Sequence, residues 1–197
     1  MASVVVQAPK RSFTLPHESG AVSHLLSASK IDSNEVDRYC RVAAELEAGR
    51  RQLSVYAGKA VALLFFQPST RTRMGFEAAT VALGASVIGV DDMSASRSNQ
   101  RSGESLEDCA SVVSRFSDAI IVRHHEVGAA ARMAAKSVSP VINAGDGWNE
   151  HPTQALIDIF ALRRGLGGIR GKSIAFGGDP RGRTVRSLAW LLRYEAP

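Results

Sequence analysis

Cysteine is scarce in this 197-residue chain: Cys40 and Cys109 are its two. Both fall in segments that read as helices, at a spacing that suits neither a disulfide framework nor a zinc site. They read as buried, reduced thiols. Aromatic residues are few as well, 6% of the total, which leaves little for stacking bases, so no nucleic-acid partner is expected. Lys and Arg outnumber Asp and Glu by 24 to 19, a formal charge of +5, and such a balance attracts small anions as readily as nucleic acid. Long apolar runs are missing. The longest, Ala60 to Phe66, has the length of a buried strand and falls far short of the roughly 18 residues that span a bilayer, so no membrane role is expected and the chain reads as cytoplasmic. Acid is nearly absent from residues 1–20, where Glu18 stands alone among Ser, Pro, Lys10 and Arg11. That stretch reads as a loose tail, with a trimmed organellar transit sequence as the alternative. There are no internal repeats and no low-complexity tract.

What is present is an alternation of strand-like and helix-like segments. Asp32 to Leu46 reads as a helix, capped by Asp32 or Ser33, with Val36, Tyr39, Cys40, Ala43 and Leu46 at helical spacing. Val61 to Phe66, Ser86 to Val90, Ala119 to Val122 and Pro140 to Asn143 read as strands. Helices are expected between and after them, over Thr70 to Leu83, Glu104 to Phe116, Glu126 to Lys136 and His151 to Arg164. Continuous apolar strands separated by helices predict an α/β fold, an open parallel sheet with helices on both faces. An Arg- and Gly-rich break over 163–171 reads as a hinge, closing a first domain of 21–162. Beyond it, a strand at Lys172 to Phe176 and a helix from Gly182 to Tyr194 read as the beginning of a second, truncated α/β domain, 172–197. One strand and one helix each keep an apolar face that needs a partner layer, so further chain or another subunit is expected to supply it.

The densest chemistry lies at Gln67-Pro68-Ser69-Thr70-Arg71-Thr72-Arg73. A buried strand ends, Pro68 turns the chain, and hydroxyls alternate with guanidiniums over the first turn of a helix. That turn carries unpaired backbone N–H groups and the positive end of the helix dipole. Ser69, Thr70 and Thr72 add hydroxyl donors, and Arg71 adds a planar fork suited to phosphate oxygens. The segment reads as a phosphate site at a strand end, where open α/β sheets hold ligands. A second strand end opens a helix at Asn143-Ala144-Gly145-Asp146-Gly147-Trp148-Asn149-Glu150-His151-Pro152-Thr153-Gln154. His151 and Gln154 share one helical face and suit a carbonyl and an amino group, or simply begin the helix. A third strand end carries Arg123, His124 and His125. The histidine pair has no Cys and no third His nearby, so metal is not expected, and Arg123 is read as facing the same pocket as Arg71.

Together these motifs resemble the carbamoyltransferases. Phe65 to Arg73, Gly75-Phe76-Glu77, Leu83-Gly84-Ala85-Ser86-Val87 and Val122-Arg123-His124 carry the resemblance. The run Asn143 to Gly147 with His151-Pro152-Thr153-Gln154-Ala155-Leu156 points to the aspartate branch, and Gly182-Arg183-Thr184-Val185 with Ser187-Leu188 continues the match. The resemblance implies that Ser69, Thr70, Arg71 and Thr72 hold the phosphate of carbamoyl phosphate. Thr72, Arg123 and His151 would polarise its carbonyl, Gln154 would bind its amino group, and Arg183 would meet a carboxylate of L-aspartate. No metal or organic cofactor is implied. The implied product is N-carbamoyl-aspartate, an early pyrimidine precursor, and the implied assembly is a homotrimer or an association with complete carbamoyltransferase chains.

The sequence departs from that pattern in places. The family has a lysine before Gly-Glu-Ser/Thr in a loop that enters the neighbouring subunit's site. Here that position is Ser102, with Arg101 beside it and Ser98 near the place of the family's loop serine. Gln67 stands where the family has a glutamate that helps hold the closed state. Two further readings therefore stay open: an impaired homologue that binds carbamoyl phosphate or phosphate as an assembly or regulatory subunit, and a carbamoyltransferase with another acceptor.

Overall fold

The computed structural model describes residues 22–51, 55–89 and 103–195. The expected tail at 1–20 and the loop with Ser98, Arg101 and Ser102 lie outside the described residues. Four strands, β1 (Ala60–Phe65), β2 (Ser86–Gly89), β3 (Ala119–His124) and β4 (Val141–Asp146), form a sheet in the order β2-β1-β3-β4 with every neighbouring pair parallel. Their apolar character follows from burial on two sides. Ala62, Leu64, Phe66, Ile120, Val122 and Val141 pack with Leu106, Cys109, Ala110 and Met133 of helices α3 (Leu106–Val113) and α4 (Ala129–Ala134). Leu63, Phe65, Ile121 and Ala144 form a separate cluster, joined by Phe76 of α2 (Thr70–Ala82). The α/β reading of the sequence is thus borne out.

A third cluster joins α1 (Ser33–Glu47), α5 (Pro152–Leu166), α6 (Arg183–Leu192) and a 3-10 turn at Ala28–Lys30, through Ala28, Val36, Ile159, Leu188 and Leu191. Asp32 accepts the Glu35 N–H at 2.8 Å, and the Glu35 carboxylate accepts the Asp32 N–H at 3.1 Å, closing a reciprocal cap on α1. Arg163 ties this layer together, reaching Asp37 of α1 at 2.7 Å and Glu195 beyond α6 at 2.5 Å. Leu188 and Leu191 of α6 thus pack in one cluster with residues of α1 and α5.

Other expectations shift for identifiable reasons. No strand forms at Lys172 to Phe176 among the described residues. A strand needs a neighbour for its backbone ladder, and here Ile174 alone of that stretch packs against the third cluster. The helix expected over Glu126 to Lys136 shrinks to Ala129–Ala134. The Glu126 N–H donates to His124 Nδ1 at 2.9 Å and the Gly128 N–H to Asp146 Oδ2 at 2.8 Å, so the first donors serve a loop. β3 and β4 run on past their expected ends, placing Arg123, His124 and Ala144 to Asp146 within strands. No described helix is long and apolar enough to cross a membrane.

Candidate active site

The strand order decides where a ligand can sit. From β1 the chain passes through α2 to β2 on one side, then crosses to β3 on the other, so a crevice opens at the carboxyl ends of β1 and β3. The Phe66 N–H donates to the Arg123 carbonyl at 2.8 Å, which holds the run-out of β1 beside Arg123. Two residues beyond Gln67, Ser69 is the N-cap of α2 in extended conformation (φ −165°, ψ 96°) and makes no side-chain capping bond. The first-turn N–H groups of α2 are thus not occupied by a capping side chain. Arg71 and Thr70 are exposed, and Ser69 and Thr72 half-buried.

Opposite them, Arg123 is 9% exposed. Its Nη1 donates to the Ala144 carbonyl at 3.2 Å, while its Nε is buried without an acceptor among the described residues. A buried, unmatched donor costs about 1–3 kcal/mol, and strain of that kind gathers at functional sites. Gly145 allows the crowding around it. Its φ is +115°, and a Cβ there would lie 3.2 Å from Arg123 Nη1, 3.3 Å from Arg183 Cζ and 3.3 Å from His151 Cδ2. Two guanidiniums and an imidazole therefore converge on one glycine.

His151 is buried, and as N-cap of α5 its Nδ1 accepts the Gln154 N–H at 3.3 Å. That bond places the ring proton of the neutral form on Nε2. Burial first, and then the charges of Arg123 and Arg183, push its pKa from 6.5 down to about 4, against the pull of Asp146. His151 is thus a neutral donor at physiological pH. Arg123 is pushed to about 10 by burial and by Arg183, and Arg183 is lowered by its own burial. Arg183 Nη1 donates to the Gly147 carbonyl at 2.7 Å and to Gln67 Oε1 at 3.4 Å.

A network of buried polar groups holds the loop in place. Asp146 accepts from Asn143 Nδ2 at 3.0 Å and from the Glu150 N–H at 3.1 Å, while the Gly145 N–H donates to Asn143 Oδ1 at 2.8 Å. The Glu150 carboxylate accepts from Ser27 Oγ and the Ala28 N–H, both at 2.6 Å. Ser187 Oγ accepts the His151 N–H at 2.8 Å.

The structure therefore brings Arg123, His151 and Arg183 together, with Gln154 bonded to His151 and Gln67 to Arg183. Ser69, Thr70, Arg71 and Thr72 stand at the same sheet edge, but among the described residues no hydrogen bond joins them to that cluster. The histidine pair has another use: His124 packs its ring between Phe66, at 4.8 Å, and His125, at 4.2 Å. Asp146, Glu150 and Asp158 were not singled out by sequence reasoning, although the acid and amide content of 143–150 was a signal for such a network.

The two buried histidines give a stability prediction. His124, like His151, is 4% exposed. Burial, followed by His125, pushes its pKa to about 4. With folded values near 4 and unfolded values near 6.5, the unfolded chain binds more protons between them. Stability is expected to be complete above pH 6.5 and to fall progressively toward pH 4, by as much as roughly 3 kcal/mol per histidine. Urea unfolding across that range checks this, and His124→Asn should flatten the slope.

Residues 23–164 match the family described as "Aspartate/ornithine carbamoyltransferase, carbamoyl-P binding domain". The chain belongs to the aspartate/ornithine carbamoyltransferase family. It is 44% identical over 174 residues to the aspartate carbamoyltransferase catalytic subunit of Thermococcus gammatolerans, a match covering 86% of this chain and 56% of that one. It is 42% identical over 177 residues to the chloroplastic aspartate carbamoyltransferase of Oryza sativa subsp. japonica, covering 85% and 48%. Its fold is similar to that of Trypanosoma cruzi aspartate transcarbamoylase solved with carbamoyl phosphate and aspartate. The TM-score is 0.77 at 34% identity, covering 86% of this chain and 56% of that one. The chain spans about half the length of the curated relatives it matches.

Proposed function

We propose that this protein is a carbamoyltransferase that moves the carbamoyl group of carbamoyl phosphate to the amine of L-aspartate, giving N-carbamoyl-aspartate and phosphate for pyrimidine biosynthesis. The observation that carries the proposal is the convergence of Arg123, neutral His151 and Arg183 around Gly145 at the strand ends, in a chain of this family. In this reading residues 21–162 form the carbamoyl-phosphate domain, 163–171 the hinge, and 172–197 belong to the acceptor-binding part. It works in the cytoplasm as a homotrimer, or joined to complete carbamoyltransferase chains, with Ser98, Arg101 and Ser102 on the loop that reaches a neighbouring site.

The chemistry follows from the groups present. The α2 N-terminus with Ser69, Thr70, Arg71 and Thr72 takes the phosphate. Arg123, Thr72 and the Nε2–H of His151 donate to the carbonyl oxygen, where negative charge grows as the neutral amine of aspartate attacks the carbon. The new C–N bond forms, the C–O bond to phosphate breaks, and phosphate leaves with the electron pair and takes up the proton that the amine gives up. A low pKa suits His151 to this task, because a neutral imidazole stays a donor without being drained of its proton at pH 7. Arg183 receives a carboxylate of the acceptor. No covalent intermediate is needed: positioning and charge stabilisation supply the catalysis.

The neutral contact of Gln67 with Arg183, at 3.4 Å, favours a second reading, a phosphate-binding subunit with little turnover of its own. Phosphate release from carbamoyl phosphate, followed with and without aspartate, separates the two. Aspartate-dependent release that rises at least about tenfold in Ser102→Lys is expected, since a cation at that position adds charge stabilisation to the neighbouring site. No release from either protein would favour the binding subunit.

A further inference from the structure

The side-chain amide of Gln154 has two ends that demand opposite partners, a donor at Nε2 and an acceptor at Oε1. Its Nε2 donates to Asp158 Oδ1 at 2.9 Å, one helical turn further along α5. A carboxylate has no proton to give, so the reverse orientation would set two acceptors against each other. Among the described residues no group donates to Gln154 Oε1, and the Gln154 backbone N–H is held by His151 Nδ1. The end of the amide without a partner among the described residues is the acceptor.

We infer that Asp158 is a specificity-determining positioning residue: by fixing the Gln154 amide with Oε1 toward the ligand, it makes the site select an acyl phosphate bearing N–H and reject one bearing a carboxylate oxygen at that place. The inference rests on the proposed carbamoyl-phosphate site and adds its selectivity. Gln154 alone would not discriminate, because a freely turning amide offers Nε2 to an oxygen as easily as Oε1 to an amine. The carboxylate of Asp158 removes that freedom, and a site whose polar groups are committed in one sense penalises the wrong ligand by leaving them unmatched. Asp158 touches no ligand atom in this scheme and acts through Gln154.

Calorimetric titration of the protein with phosphonoacetamide, phosphonoacetate and inorganic phosphate tests this. The first presents an amide NH2 where the second presents a carboxylate oxygen, and phosphate reports the general effect of removing a negative charge. The wild type is expected to prefer phosphonoacetamide. In Asp158→Asn, whose side chain accepts either orientation of Gln154, phosphonoacetate should gain at least about tenfold relative to phosphonoacetamide, after the change in phosphate affinity is divided out. Asp158→Glu should restore the preference. If the wild type binds phosphate and phosphonoacetamide but Asp158→Asn keeps the same corrected ratio, the positioning role is overturned and the carbamoyl-phosphate reading stands. If the wild type binds neither, that reading fails and this inference with it.

Discussion

Arg123→Met is expected to lower carbamoyl-phosphate affinity by at least about 100-fold and turnover by a comparable or larger factor, while leaving the fold as stable as before or more so. The reasons lie in how the side chain is held. Arg123 is 9% exposed, keeps one bond of its guanidinium to the Ala144 carbonyl, and leaves Nε buried without an acceptor among the described residues. It also faces Arg183, whose charge helps push it down to about 10. It is thus a desolvated cation beside another cation. Replacing a poorly compensated buried charge by an apolar side chain of similar length is often neutral or stabilising, by about 1–4 kcal/mol. Only a bound anion repays that cost. Thermal unfolding and calorimetry on the same variant decide the matter: an unchanged or raised Tm with lost binding is expected. A Tm lowered by several degrees with binding intact would make Arg123 a structural residue.

Gly145→Ala should damage the site where its charged groups converge. At φ +115° an L residue is strained, at about 1–3 kcal/mol. The added Cβ would also press on Arg123 Nη1, Arg183 Cζ and His151 Cδ2 at 3.2–3.3 Å. Those three groups cannot all retreat, because Arg123 is bonded to Ala144, Arg183 to Gly147 and the His151 backbone to Ser187. Turnover is expected to fall about 100-fold, as it does when reacting groups are displaced by about 1 Å, with a loss of roughly 1–3 kcal/mol in stability. Steady-state kinetics and urea unfolding measure the two effects. Near-normal kcat in a destabilised variant would show that the convergence on Gly145 is not catalytic.

The sheet was readable because its strands are continuous apolar runs, a pattern that a layer buried on two faces imposes. His151 and Gln154 were readable from their spacing at a helix start, and Ser69 to Thr72 from their hydroxyl and guanidinium density. The strand at Lys172 to Phe176 misled, because an apolar run predicts burial and cannot say whether a neighbour exists to pair with. The convergence of Arg123 and Arg183, 60 residues apart in sequence, depends on α6 packing against α5 and on the switch in strand order. Neither leaves a local trace. Asp158 was missed for a related reason: it stands on a mostly apolar helix, and the bond of its carboxylate to the Gln154 amide appears only in the structure.

The most direct test is a titration of the purified protein with carbamoyl phosphate, repeated with Arg123→Met and with inorganic phosphate as competitor. Saturable binding at one site per chain, displaced by phosphate and lost in the variant, is the expected result. Absence of binding by the wild-type protein, or equal binding by Arg123→Met, would contradict the assignment of the β1, β3 and β4 ends as a carbamoyl-phosphate site.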